Sequence, residues 1–202
     1  MATEPGAGLA GVIAGHTAIA TVGKEGKGLT YRGYSIHDLA EHSTFEEVAY
    51  LLIYGRLPKP AELNEYKSKL RAMRGLPASL KTVLELIPRS THPMDVMRTG
   101  CSMLGTLEPE GPGHDQIAVA NRLTACFSAI LFYWHHYHAN GSRIDTETDD
   151  DSTAGHLLHL LHGKKPDELH RRAVDVSLIL YAEHEFNAST FTARTIISAN
   201  RS

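Results

Sequence analysis

The residues of this sequence best suited to chemistry lie in Tyr181 to Thr190, YAEHEFNAST, where His184 stands between Glu183 and Glu185. These polar groups arrive abruptly after an apolar run, Val174 to Ala182 (VDVSLILYA). An imidazole so placed can ligate a metal, move a proton near neutral pH, or hold a substrate by a hydrogen bond. The first role fails on spacing, because the HExxH zinc motif needs a second histidine where Ala188 stands. His156, His159 and His162 recur every three residues in HLLHLLH. That spacing puts them on one slowly drifting helical face. Zinc would need a further ligand there, and the intervening leucines describe a buried stripe that the imidazoles can equally edge. Cys101 and Cys126 sit in apolar helical patterns without an activating neighbour, which suits buried thiols. GKEGKG, Gly23 to Gly28, lacks the Lys-Ser/Thr end and strand-to-helix setting of a phosphate loop, and no GxSxG elbow occurs. What remains is a dense polar group: His184, Glu183, Glu185, Asn187, Ser189, Thr190 and Arg194. On a helix predicted to be buried, such groups must be hydrogen-bonded or serve a ligand. A core network and a binding site both stay open.

The elements that must position these residues are nearly all helical. Ala18–Val22 and Leu29–Tyr31 are short β-prone runs flanking a Gly/Lys turn, which predicts a small hairpin. Ser43 with Glu46 three residues on predicts a capping box, followed by Phe45, Val48, Ala49, Leu51 and Leu52 at helical spacing as far as Gly55. Pro60 opens the next helix, and Gly75-Leu76-Pro77 breaks it. Leu80, Val83, Leu84 and Ile87 mark a third, closed by Pro88. Thr91 or His92 caps a fourth, with Met94, Met97, Cys101 and Leu104 as its apolar face. Ile117 to Tyr137 is apolar all round and predicts a central buried helix ended at Asn140-Gly141. TETDDD reads as an exposed acidic loop whose aspartates and Ser152 cap a helix from Ala154 to Leu161. Gly163 ends that helix, and the last begins at Pro166 and runs through YAEH toward Ile197.

The chain has 202 residues, 42% hydrophobic and 21% charged, with a formal net charge of -3. That is a soluble globular composition, long enough for one sizeable core. The balanced charge leaves no footprint for nucleic acid. The apolar stretches read as too short and interrupted for a membrane span. The start, MATEPGAGLAG, lacks the basic region of a signal peptide, so the expected location is cytoplasmic.

Five stretches then agree in order with one family: YRGYSIHDLAE (Tyr31 to Glu41), FEEVAYLLIYGRLP (Phe45 to Pro58), LRAMRGLP (Leu70 to Pro77), THPMDVMRTG (Thr91 to Gly100) and LYAEHEFNASTFTAR (Leu180 to Arg194). Together they resemble the citrate synthase family over about His16 to Arg194. TETDDDS and LLHLLHGKKP are similar to its 2-methylcitrate synthase branch. The resemblance implies an all-α, multi-helix globule with a small N-terminal β-hairpin. Residues 1–15 would be a flexible N-terminus, and 16–202 the N-terminal portion of a citrate-synthase-like large domain.

It further implies an acyltransferase that joins propionyl-CoA to oxaloacetate, with the CoA thioester as substrate and no cofactor or metal. The expected partners are those two substrates and a second copy in a homodimer, with no nucleic acid and no membrane. In the family an aspartate takes the α-proton, one histidine stabilises the enolate and another polarises the oxaloacetate keto group. Those three residues belong to GP-x-HGG, GxGHP and later segments that do not occur in these 202 residues. No catalytic residue is therefore expected here, and no turnover by the isolated chain. His184 matches the oxaloacetate-binding histidine of the AEHE motif. Arg74, in RGLP, matches an arginine that binds substrate in small bacterial members, with a helix-cap or salt-bridge role in competition. Other expectations are a citrate synthase using acetyl-CoA, a non-catalytic helical dimerisation or binding fragment, and a metal-binding helix through His156, His159 and His162.

Overall fold

The structure, a computed structural model, describes residues 15–23, 26 and 28–199. The N-terminal stretch 1–14, most of the lysine-bearing turn (Lys24, Glu25 and Lys27) and the last three residues lie outside the described residues. The described residues form nine helices and one small sheet, the helical class that the periodicity predicts with two helices more than it marks out.

The sheet has three antiparallel strands in sequence order: β1 (Ala20–Val22), β2 (Leu29–Tyr31) and β3 (Tyr34–Ser35). The third strand extends the expected hairpin. Tyr31 pairs with Tyr34 across a two-residue turn in which Arg32 and Gly33 both have positive φ, 49° and 89°. That geometry matches the twist of a tight hairpin.

The helices are α1 (Ile36–His42), α2 (Phe45–Tyr54), α3 (Pro60–Ala72), α4 (Ala78–Leu86), α5 (Pro93–Leu107), α6 (Gln116–Asn140), α7 (Thr153–His162), α8 (Glu168–Leu180) and α9 (Ala188–Ala199). Local punctuation sets most of their ends. Pro60 and Pro93 occupy first-turn positions, and Gly55, Gly141 and Gly163 close α2, α6 and α7 in the left-handed region. His92 rather than Thr91 caps α5, accepting from the Met94 amide. The α2 capping box is Thr44 with Glu47, one residue beyond the predicted pair. Glu46 is thereby freed for the interior, where its Oε1 accepts from the Thr153 amide at 2.6 Å, at the start of α7.

The main core packs α4, α5, α6 and α7 around Leu80, Leu84, Val96, Ile130, Tyr133 and Leu160. Val96, Gly100 and Leu104 are the buried face of α5, and Met94, expected inside, is exposed. Gly100 lets α5 close on α6, since a Cβ there would lie 2.5 Å from the Ile130 Cγ2. A second core joins the sheet to α1, α2 and α8 through Tyr31, Leu39, Val48, Leu51 and Ile179. Helix α6 is long and apolar enough to cross a bilayer, contrary to expectation, yet half of its most apolar window is buried in this fold. It packs as the core helix of a soluble protein does. An apolar groove of about 490 Å³ runs along it, lined by Met97, Phe127, Leu131, Leu157 and Leu178 among others.

Candidate functional site

Helix α8 is anchored at its first half and released at its last turn. Asp175, fully buried, accepts from the Phe45 amide at 3.1 Å and from Arg172 at 2.8 Å. Arg172 in turn donates to the carbonyls of Ala40 and Ser43, at 2.5 and 2.9 Å, which joins α8 to the end of α1. The helix then stops at Leu180, short of the predicted run through YAEH. Residues 181–187 are an irregular linker, and α9 begins afresh at Ala188. Two features enforce the break. Glu185 takes the left-handed region, φ 71°, which no α-helix continues through. Asn187 accepts from the Thr190 amide at 2.9 Å, as an N-cap does for a new helix.

His184 therefore lies on an exposed linker and not on a buried helix. Its amide donates to the Glu183 carboxylate at 3.1 Å, and among the described residues its imidazole has no hydrogen-bond partner. Arg194 stacks over the Phe186 ring at 4.8 Å. The residues on both sides of His184 are tied to the sheet, Glu183 through its backbone and Glu185 through its side chain: the Glu183 amide donates to the Tyr31 hydroxyl at 3.2 Å, and the Val22 amide donates to Glu185 Oε1 at 3.1 Å. Sequence reasoning does not single out Tyr31 for the site. Its partners lie 148 to 152 residues away, beyond the reach of any local pattern.

Arg74 occupies the opposite environment. It is 3% exposed and donates to three backbone carbonyls, Thr148 at 2.9 Å, Asp150 at 2.7 Å and Ser152 at 3.2 Å. The acidic loop is wrapped around this guanidinium, so Thr146, Asp150 and Ser152 are buried, while Glu147, Asp149 and Asp151 keep the exposure the charge run predicts. Burial pulls the Arg74 guanidinium below its ordinary value, with Asp150 pushing the other way. Burial would raise the Asp150 carboxyl, but the Thr148 hydroxyl, His159 and Arg74 outweigh it and hold it below the usual carboxylate range.

The same oxygens fix the state of His156. Thr148 Oγ1 has one proton, and its short contact to the acceptor Asp150 Oδ2, 2.6 Å, takes it. The 3.0 Å contact of Thr148 Oγ1 with His156 Nδ1 then assigns the proton of that bond to the imidazole. His156 Nε2 is left as a buried lone pair without a partner. Burial, reinforced by Arg74, pushes this histidine down to about 3, so it is neutral at physiological pH. Its neighbours on the helix face differ: His159 donates to Asp150 Oδ2 at 2.7 Å, and His162 is exposed. Of the three, only His159 joins a metal-capable cluster among the described residues, with Asp149 and Asp150. Asp149 already accepts from Lys165 at 2.9 Å.

His184 and Arg74 do not converge. The loop held by Arg74 shares a cleft with Arg171, in the first turn of α8, whereas His184 follows its last turn. Nine residues of helix, about 13 Å, separate those ends.

The comparisons with known proteins agree with this architecture. The family model described as "Citrate synthase, C-terminal domain" matches residues 8–202. A 2-methylcitrate synthase of Shewanella oneidensis is 63% identical over 193 residues, covering 96% of this chain and 52% of that protein. A 2-methylcitrate synthase 2 of Corynebacterium glutamicum is 41% identical, covering 97% and 53%. Among solved structures, Thermoplasma acidophilum citrate synthase in a ternary complex with carboxymethyl coenzyme A and oxaloacetate superposes with a TM-score of 0.84 at 25% identity, over 94% of this chain and 50% of that one. Thermotoga maritima citrate synthase gives 0.80 at 32% identity, over 96% and 51%. The chain spans about half the length of the curated relatives it matches.

Proposed function

The chain belongs to the citrate synthase family, and we propose that it forms part of an acyltransferase that condenses propionyl-CoA with oxaloacetate to give 2-methylcitrate and CoA. The observation that carries this reading is the 63% identity to a 2-methylcitrate synthase along nearly the whole chain. Within it, residues 16–202 are the N-terminal portion of the large domain, and the enzyme is a homodimer. The apolar groove along α6 supplies the kind of surface that a further helix or a second copy would cover.

His184 holds oxaloacetate. Its exposed imidazole, on a linker tethered through the Glu183 amide and the Glu185 carboxylate, can donate to a carboxylate or keto oxygen without first breaking an internal bond. Arg74 enters as a second substrate residue only if the loop that takes its three bonds gives way; its present partners favour a role in holding that loop. The proton transfer and enolate stabilisation fall to groups outside the 202 residues, so the isolated chain has no turnover.

Exchange of these residues for the matching 193 of the Shewanella oneidensis enzyme tests the reading. The hybrid is expected to release thiol from propionyl-CoA and oxaloacetate, and a folded but inactive hybrid would count against the reading. His184→Ala in the hybrid should raise the oxaloacetate KM by on the order of tenfold. The 202 residues alone should release no more CoA than their His184→Ala variant.

A further inference from the structure

We propose that the N-terminal sheet is a clamp on the linker 181–187, and that Tyr31 is the residue that positions His184. The proposal rests on the reading of His184 as a substrate holder and adds what puts it in place. Tyr31 is fully buried at the end of β2, and its ring is fixed from several sides. The tight turn at Arg32-Gly33 follows it directly. The Arg32 amide donates to the Ile19 carbonyl at 2.8 Å, and its guanidinium to the Leu52 carbonyl on α2 at 3.0 Å, which fastens that turn to the body.

A phenol has one proton to donate and lone pairs to accept. Tyr31 uses both on the same stretch of chain. It donates to the Ile179 carbonyl at 2.9 Å, with the Leu180 carbonyl at 3.3 Å sharing the proton, and accepts from the Glu183 amide at 3.2 Å. One oxygen thus spans the end of α8 and the residue before His184. Serving orphan carbonyls would be enough if the hydroxyl only finished a helix; the bond from Glu183 goes further and fixes the linker. On the other side of His184, the Val22 amide of β1 holds Glu185 Oε1. The imidazole is bracketed by two tethers to the sheet while its ring faces solvent. A site residue on an irregular segment needs such support to hold a productive geometry.

The test uses the 202-residue chain with Tyr31→Phe, His184→Ala and the double variant. Tyr31→Phe keeps the buried ring and removes only the hydroxyl. By NMR, the Glu183 and His184 amides should exchange on the order of tenfold faster and the His184 ring signals should shift, while amides in the middle of α6 hold their protection. Oxaloacetate affinity, titrated on the same signals, should fall about tenfold in Tyr31→Phe and no further when the substitution is added to His184→Ala. Unchanged exchange and ring signals, or additive losses of affinity, would overturn the clamp. If His184→Ala leaves oxaloacetate affinity intact while Tyr31→Phe still moves the His184 signals, the clamp stands and the substrate role of His184 falls. Should Tyr31→Phe not fold, Glu185→Ala cuts the second tether and is read by the same signals; no response there overturns the proposal.

Discussion

The two residues that the family resemblance selects are built on opposite plans at opposite ends of α8: Arg74, just after α3, holds the loop that shares a cleft with Arg171 in the first turn, and His184 follows the last turn. Around Arg74 the side chain is the scaffold: one guanidinium organises a loop from three carbonyls, and that loop sets Asp150, His159, Thr148 and His156 in one bonded chain. Around His184 the neighbours are the scaffold, through the Glu183 amide and the Glu185 carboxylate, and the histidine side chain is left exposed. The difference separates what a residue does for the fold from what it offers a ligand. A buried, fully engaged cation resists removal; an exposed imidazole on a tethered linker can be lost with little structural consequence.

The largest expected effect is therefore Arg74→Ala. It strips three carbonyls of their donor and leaves Asp150 without its buried countercharge, which should cost about 3–5 kcal/mol in urea unfolding. Arg74→Lys should recover only part of that loss, since an ammonium cannot present the planar fork that reaches several acceptors at once. A cost below about 1 kcal/mol for the alanine variant would mean that the loop does not need its guanidinium, and the contrast between the two ends would collapse.

The next effect is a pH dependence that arises at the Arg74 end. His156 titrates at an ordinary 6.5 when unfolded and about 3 when folded. The native state then binds fewer protons than the unfolded state between those values, so stability is complete above 6.5 and is lost as pH falls toward 3. The loss from this group should be about 2 kcal/mol between pH 7 and pH 5. His156→Gln should flatten that part of the profile, and equal slopes in the two proteins would show that His156 is not held neutral. Thr148→Val, which removes the hydroxyl between Asp150 and His156, should cost somewhat less, about 1–2 kcal/mol by thermal unfolding.

The two ends also differ in how far the sequence discloses them. Helix boundaries set by Pro60, Pro93, Gly141 and Gly163 are local events, and composition reads them correctly. The acidic loop is different, because TETDDD carries no sign of the arginine 76 residues away that draws Asp150 inside. The break after Leu180 has the same origin. VDVSLILYAEH is compatible with helix throughout, and the break that Glu185 and Asn187 enforce is held in place by a tyrosine on a strand near the other end of the chain. Asn187 ahead of Ala-Ser-Thr was the one local signal, an N-cap for a second helix. His184 itself is legible as a residue of interest, while its exposure is not, since exposure follows from that break.

The smallest structural effect is the sharpest test of the contrast. His184→Ala removes a side chain that, among the described residues, makes no hydrogen bond, and Glu183 keeps its bond to the His184 amide whatever the side chain. Thermal and urea unfolding should move by no more than about 0.5 kcal/mol, the ordinary range for a surface substitution. Stability and ligand response should then separate cleanly: oxaloacetate binding falls in a protein that melts where the parent does. The reverse result, a loss of 2 kcal/mol or so with binding unchanged, would make His184 a structural residue. Both ends of α8 would then be scaffolding, and the substrate would have to be held elsewhere.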